Sequence, residues 1–391
     1  MARRTAYVSF FGPPRSRGRE FTGFETKVGA AKFVLPVLAV AFIAVSVWWF
    51  AFRTADENVG GILTLEDATI PTLLLPSGAE TDDAGLLLSG ISIDCEVELT
   101  DWPTFQGSMT RQGCMSAPTP TIVNPRIEWS KEIGIAGWLN SPIIVNGTIY
   151  VGSAGRSQGS QDSFDGVWAL DLYSGEQKWF FGATLDVNGI SYGDGIIVAT
   201  GDEGRVWGID ARTGDLIWED DLGVATYGFP LIVDDLVVIG DGDGIATGFD
   251  LRSGRRLSGW QVQVDGPIRG GAASDGEMVV FAGENRDVVA VDLDGDELWR
   301  VEVIGRDTAG ALARVWAAPT IVGDLVVVTM LREDTFVEPA IIALDKADGS
   351  VVWNALDLAG IKHDWGSIRS SVAVVGDLLV YGEPYSNRLI A

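Results

Sequence analysis

From Pro142 onward, short apolar runs alternate with turn residues so regularly that the pattern predicts strands and almost no helix. The runs come in pairs: PIIVNGTIYVG from Pro142, PLIVDDLVVIG from Pro230, PTIVGDLVVVT from Pro319 and VAVVGDLLVYG from Val372. Asn-Gly, Asp-Gly and Gly-Asp pairs between β-branched runs signal hairpins, because turns that match strand twist demand positive φ. Nearly every position in these runs is apolar, rather than every second one. That is the mark of sheets covered on both faces. A third run carries the stretch Ala-x-Asp, a Ser/Thr-Gly turn follows, and a fourth run carries a tryptophan. Tryptophans fall at positions 129, 179, 218, 260, 299 and 353. Spacings clustered near forty residues, with strand-like content, predict a solenoid or a propeller, and four strands per unit select the propeller. The expected fold is all-β, a β-propeller of four-stranded blades with six units visible and the last incomplete.

One sentence recurs in these units. ALDLYSGEQKW (169–179) returns as GIDARTGDLIW (208–218), AVDLDGDELW (290–299) and ALDKADGSVVW (343–353), and it drifts to GFDLRSGRRLSGW (248–260) in the third unit. The aspartate precedes a glycine-containing turn that it can cap, and the tryptophan is a large apolar plate for the adjacent blade. A structural role in blade docking is therefore expected for Asp171, Gly175 and Trp179, for Asp210, Gly214 and Trp218, for Asp292, Gly295 and Trp299, and for Asp345, Gly349 and Trp353.

Only one stretch breaks the strand pattern. Residues 33–52 (FVLPVLAVAFIAVSVWWFAF) carry no charge, and at about 1.5 Å per residue twenty of them cross a hydrocarbon core of roughly 30 Å. Trp48, Trp49 and Phe50 stand at the far end, as an interfacial belt would. Seven basic residues against Glu20 and Glu25 give the preceding segment +5, so the rest of the chain carries −31 of the overall −26. By the positive-inside rule the amino terminus is cytoplasmic and everything after the span lies outside, periplasmic or extracellular. A cleaved signal peptide is the rival reading, but the run is long for one and no small-residue cleavage site precedes ADENVG. The expected organisation is a basic cytoplasmic tail (1–32), a transmembrane helix (33–52) that anchors the protein in the cell membrane, an acidic stalk (53–100) and the propeller (101–391).

The strong negative charge argues against nucleic acid or anionic lipid as partner of the outer part. In an extracytoplasmic compartment the two cysteines, Cys95 and Cys114, are expected to form a disulfide. Their spacing matches no metal site. His363, the one histidine, has no serine or cysteine partner that the sequence nominates. Asn146-Gly147-Thr148 fits a glycosylation sequon and, better, the first hairpin turn. Asp292–Asp296 (DLDGD) opens like a calcium loop but lacks its sixth-place glycine and its twelfth-place glutamate, where Val303 stands, and Asp241–Gly244 (DGDG) reads as a turn.

The pattern A-x-D-x-x-[ST]-G-x-x-x-W resembles the tryptophan-docking motif of the quinoprotein (PQQ-like) β-propeller superfamily. The lead-in DWPTFQGSMTRQG (101–113) is similar to the W-P-x-x-x-G segment that precedes the first blade in that superfamily. The resemblance implies one of two roles. One branch comprises dehydrogenases that use pyrroloquinoline quinone and calcium; the other comprises non-catalytic scaffolds like the outer-membrane assembly factor BamB. Those dehydrogenases hold the quinone against adjacent cysteines, and this sequence has no Cys-Cys pair. The expected function is thus a binding or scaffold module with no catalytic residues, no metal site and no cofactor. The alternative is a quinoprotein dehydrogenase, with quinone and calcium, whose site is partly supplied beyond Ala391.

In a propeller, the residues that lead into each innermost strand line one mouth of the central channel. Here they read GWLNSP, ATYGFP, GPIRGGAA, ALARVWAAP and HDWGSIRSSV. Trp138, Tyr227, Arg269, Arg314, Trp316, Trp365 and Arg369 recur at this place. Arginine forks suit carboxylates and aromatic faces suit flat rings or extended peptide, so these seven residues are the candidate ligand site for a protein partner on the propeller face. The rival reading is that they merely plug the channel. The last unit halts at SNRLIA, in mid-motif. Either the chain continues beyond Ala391, which the sequence favours, or RIEWSKE (126–132) supplies the missing outer strand.

Overall fold

A computed structural model describes residues 101–113, 126–136, 140–307, 310–331, 337–338, 340–354, 368, 370–375, 378–383 and 388–390. They all belong to one compact unit, Thr81–Ala391. The tail, span and stalk (1–100), Cys95, Cys114, Trp138, His363, Trp365 and Arg369 lie outside the described residues.

The expected blades are present. Blade 1 is Ile143–Val145, Thr148–Ala154, Asp165–Asp171 and Gln177–Gly182, hydrogen-bonded antiparallel in sequence order. Blade 2 is Val187–Gly193, Ile196–Gly201, Arg205–Asp210 and Leu216–Asp221. Blade 3 is Leu231–Val233, Leu236–Gly240, Ile245–Asp250 and Arg256–Gln263. Blade 4 is Ala272–Ser274, Met278–Ala282, Asp287–Asp292 and Glu297–Glu302. Blade 5 is Thr320–Val322, Leu325–Thr329, Ile341–Asp345 and Val351–Asn354. Three strands of a sixth blade are described, Ala373–Val375, Leu378–Glu383 and Arg388–Ile390, and a short ribbon pairs Arg306–Asp307 with Val337–Glu338. The first hairpin turn is built on Asn146 (φ 50°) and Gly147 (φ 68°), as the Asn-Gly pair predicts.

No single core holds the domain together. Five of the buried clusters sit in seams between two blades, and a sixth packs Val151, Trp168 and Leu170 of blade 1 against Trp129 and Ile133 of the segment before it. One joins Ile143, Val167 and Trp179 of blade 1 to Ile190, Ile197 and Ile209 of blade 2. Another joins Leu231, Val238 and Trp260 of blade 3 to Val279, Phe281 and Val291 of blade 4. Both faces of the middle strands are therefore covered, which is why their sequences do not alternate.

The recurring sentence closes these seams. Trp179 Nε1 donates to the carbonyl of Ala211 (2.9 Å), Trp218 to Leu251 (2.8 Å), Trp260 to Leu293 (3.0 Å) and Trp299 to Lys346 (2.7 Å). In every case the acceptor is the residue after the motif aspartate of the next blade. The motif glycine lies under the same ring: a β-carbon on Gly214 would stand 2.7 Å from Trp179, and one on Gly349 2.6 Å from Trp299. Both glycines have positive φ, so the position excludes other residues twice over.

The small residue that opens the motif has its own cause. Ala169, Gly208, Ala290 and Ala343 pair directly opposite Trp179, Trp218, Trp299 and Trp353. A β-carbon on Gly208 would stand 2.2 Å from the Trp218 ring. The aspartates cap the turns as expected: Asp210 Oδ1 accepts from the Arg212 and Thr213 amides, at 2.9 and 2.8 Å. Those bonds, Thr213 first, hold its carboxyl below the usual carboxylate range.

Two departures in the sequence are absorbed locally. The two extra residues before Trp260 become a register shift between Thr247 and Phe249, and the ring still reaches its carbonyl. The shortened turn at 292–296 is capped by Asp292 Oδ1 on the amides of Asp294 and Asp296, which makes DLDGD a turn. Residues 126–132 form no strand. Trp129 nevertheless takes the same seat on blade 1, with its indole nitrogen on Leu172 O at 3.0 Å and its ring under Gly175.

Candidate ligand site at the upper mouth of the channel

In a four-stranded meander, the connection into the first strand and the turn between the second and third strands fall on one edge of the sheet. That edge forms the upper mouth of the channel. The first strands of neighbouring blades face one another across the channel and present a row of unpaired backbone groups there, a liability that must be covered.

The lead-in segment covers them. Trp102 exchanges backbone hydrogen bonds with Ile144 of blade 1, Pro103 O accepts from Tyr192 of blade 2, and Met109 O from Ser274 of blade 4. Thr110 O accepts from Ile321 of blade 5, and Gln112 O from Val374 of blade 6. Blade 3 is reached by a side chain. The fully buried Arg111 guanidinium donates to Pro230 O (3.3 Å), Ala272 O (3.0 Å), Phe105 O (3.0 Å) and Thr104 Oγ1 (2.6 Å). Phe105 stacks on Phe229, with centroids 4.3 Å apart. Thirteen residues thus plug the channel and touch the innermost strands of all six described blades. Among the described residues the lead-in fills the channel, a role the sequence pattern did not assign to it.

Above the plug, the structure brings together all four described members of the predicted ligand site. The Arg269 guanidinium lies 4.8 Å from the Tyr227 ring centroid and 5.3 Å from that of Trp316. Its Nε is hydrogen-bonded to Glu284 Oε2, and the other carboxylate oxygen accepts from an Arg314 terminal nitrogen at 2.6 Å. Glu284 is the residue the sequence did not reveal. It sits in the turn between the second and third strands of blade 4. Its amide donates to Pro267 O (2.8 Å), in the connection that carries Arg269, and its carbonyl accepts from Val315 N (3.1 Å), beside Arg314. One buried carboxylate therefore fixes two arginine loops by main chain and side chain together. Gly270 allows the close approach, since a β-carbon there would lie 2.0 Å from Ala318 N.

The side chains of Arg269 and Arg314 remain 31% and 55% exposed, so both forks reach solvent beside two aromatic faces. Charge-assisted, geometrically fixed donors of this kind match a carboxylate. The opposite sector of the mouth, on blades 1 and 2, carries Asp162, Asp165, Asp186 and Asp202.

A quinone with a metal ion needs a flat slot and a set of converging oxygen ligands. Among the described residues no three His, Cys, Asp or Glu converge on one point. Both Glu284 oxygens are taken by arginines. The described residues do not fit that pair of groups.

A family model described as outer membrane protein assembly factor BamB matches residues 182–257 and 257–391. The chain is also similar to a 1-butanol dehydrogenase (cytochrome c) of Thauera butanivorans, 28% identical over 164 residues, which cover 36% of this chain and 22% of that protein. A lanthanide-dependent methanol dehydrogenase of Methylacidiphilum fumariolicum is 28% identical over 175 residues, 38% of this chain and 27% of that protein. The chain spans about a quarter of the length of these curated relatives. The crystal structure of BamB from Moraxella catarrhalis superposes with a TM-score of 0.43 at 18% identity, over 64% of this chain and 86% of that one.

Proposed function

The chain belongs to the PQQ-like repeat family whose model is described as outer membrane protein assembly factor BamB, and on that premise we propose that it works as a binding module without chemistry of its own. In this reading the segment 33–52 anchors it in the cell membrane, the propeller faces the extracytoplasmic side, and the upper mouth grips a protein partner in envelope protein assembly. The observation that carries the reading is the Arg269–Glu284–Arg314 cluster between Tyr227 and Trp316, set above a channel that is already filled. Forks and aromatic faces on a closed floor suit an extended peptide bearing a carboxylate, lying across the mouth and not entering it.

The test is a fluorescence titration of the full-length protein with extended peptides that differ only in a free or an amidated carboxylate. The free acid is expected to bind, and Arg269→Ala with Arg314→Ala to weaken it by tenfold or more, since each charge-assisted hydrogen bond is worth about 1.5–3 kcal/mol. Equal binding of acid and amide, or no effect of the double substitution, would sink the proposal.

The names of the two curated relatives favour a second reading, an alcohol dehydrogenase, and the resemblance of the repeats to quinoproteins adds pyrroloquinoline quinone and calcium to it. Saturable, calcium-dependent quenching of tryptophan fluorescence by micromolar quinone is the result that would carry it. A folded protein that shows no quenching leaves the binding module.

A further inference from the structure

The plug leaves one innermost strand without a backbone partner. The turns between first and second strands fall on the edge opposite the upper mouth, at the lower mouth of the channel. Where such a turn has two residues, the residues flanking it pair with each other, so the middle residue of a three-residue first strand turns its N–H and C=O toward the channel. In blade 1 that residue is Ile144, and Trp102 bonds to both groups. In blade 5 it is Ile321, whose N–H donates to Thr110 O and whose C=O accepts from Gln112 Nε2 at 2.8 Å. In blade 6 it is Val374, which donates to Gln112 O. The blade 3 equivalent is Ile232, held between Leu231 and Val233 in the same register. Among the described residues, neither of its channel-facing groups has a partner.

A cavity of about 190 Å³ lies against this gap, lined by Ile232, Leu231, Tyr192, Met109, Pro103 and Thr104. Tyr192 and Ile232 each stand two residues before a hairpin turn, at Asp194–Gly195 and Asp234–Asp235, which sets the cavity at the lower end of the channel. Met109 is 37% exposed, and Tyr192 and Ile232 are half-buried, so the cavity reaches solvent. Its walls are apolar apart from the hydroxyls of Tyr192 and Thr104, and the latter is already bonded to Ser191 and Arg111. A free N–H and C=O on one extended residue match the backbone of another, which is how the lead-in itself is held at blade 1. A cavity of roughly 150 Å³ accommodates benzene, so this one has room for an apolar side chain.

The rim specifies the charge of the occupant. The turns around the lower mouth carry Asp194, Asp234, Asp235, Glu277 and Asp324, all exposed, and the half-buried Asp275. Arg252 pairs with Asp194 and Asp235, and Lys346 with Asp275, whereas no salt bridge reaches Asp234, Glu277 or Asp324 among the described residues. Lys178, Arg212 and Arg255 stand farther out, in or beside the turns that the motif aspartates cap. Such a rim attracts a basic segment and repels a second copy of this chain, whose net charge is −26.

We propose that the lower mouth binds an extended basic segment of a partner protein, which pairs one residue of its backbone with Ile232 and places an apolar side chain in the cavity beside Met109 and Leu231. Lysine or arginine on either side of that residue reaches the unpaired carboxylates of the rim. The site lies at the opposite end of the channel from the arginine cluster, selects the opposite charge and does not rest on it.

The probe is a short peptide with blocked termini, a central leucine and flanking lysines, titrated into the full-length protein at low salt and followed by fluorescence anisotropy. It carries no carboxylate, so it does not report on the upper mouth. Saturable binding is expected, weakened by about tenfold when the leucine nitrogen is methylated, because the methyl group removes a donor and holds the two backbones apart. Asp234→Asn with Glu277→Gln, which alter neither the cavity nor the core, should weaken binding several-fold and flatten its fall with salt. Ile232→Pro deletes an N–H that faces the channel and not the ladder, and should act as the methylated peptide does. If that variant does not fold, the methylated peptide reads the same contact on the unaltered protein. Absence of saturable binding overturns the proposal. So does equal binding of the methylated and unmethylated peptides, which would reduce the contact to charge alone, or of a peptide with glutamates in place of the lysines.

Discussion

Replacing Trp260 with alanine is expected to cost about 3–5 kcal/mol of stability, the range for removing a large aromatic from a core. Trp260 is 1% exposed and packs among Leu231, Val238, Val279 and Phe281 in the seam between blades 3 and 4. Its indole nitrogen also serves the Leu293 carbonyl, at 3.0 Å. Truncation leaves a cavity in a seam that no central core can back up, and it takes the donor from a half-buried carbonyl. Trp353, at the corresponding place in blade 5, is only half-buried. Trp353→Ala should therefore cost distinctly less, and chemical-denaturant midpoints of the two variants measure the difference. Equal losses would mean that the seams are not independent fasteners and that stability is shared around the blades.

The motif residues make the fold legible because each acts locally. Asp210, Gly214 and Trp218 lie within one strand–turn–strand unit: Asp210 caps its own turn, Gly214 lies under Trp179 of the preceding blade, and Trp218 donates to Leu251 of the next. A period near forty therefore encodes the seam directly. The mouth is legible in part for the same reason. Tyr227, Arg269, Arg314 and Trp316 share one place in the repeat, just before an innermost strand, and the fold brings that place together.

What escaped the sequence is what the repeat does not carry. Glu284 stands in a turn between second and third strands, among 54 acidic residues, and nothing local marks it as the carboxylate that receives two arginines. The lead-in was recognisable by its Trp-Pro and glycine. Its role as the plug depends on six strands that follow it at separations of up to about 260 residues, which no local pattern encodes. Asp165 is hidden in the same way. It begins a strand like any other, and only the packed loop reveals that one of its oxygens has no donor.

Arg111 is where the plug can be tested most sharply. Its guanidinium is fully buried and serves carbonyls from the lead-in and from the starts of blades 3 and 4, and no described carboxylate pairs with it. Arg111→Ala removes a large buried side chain together with its hydrogen bonds to Ala272 O and Phe105 O, so a loss of about 3 kcal/mol or more is expected. Arg111→Lys should rescue little. A single ammonium cannot reach acceptors spread over three chain segments, whereas the planar fork does so in one piece.

The charge itself gives a second, signed expectation. Burial lowers the Arg111 pKa well below its ordinary value, to about 9. The unfolded chain therefore holds the proton more tightly than the folded one, and folding becomes more favourable as pH rises through about 9 toward the ordinary guanidinium range. Below that window both states are protonated and the contribution is constant. Measured against Arg111→Met, which lacks the titrating group, the wild-type stability should stay level from pH 6 to about 8 and climb above about 9. Comparing the two proteins cancels the repulsion among the many carboxylates, which is common to both. A difference that stays flat through pH 11 would show that the guanidinium keeps its charge in the channel, stabilised by the carbonyls alone. The plug would then be held by its hydrogen-bond geometry at every accessible pH.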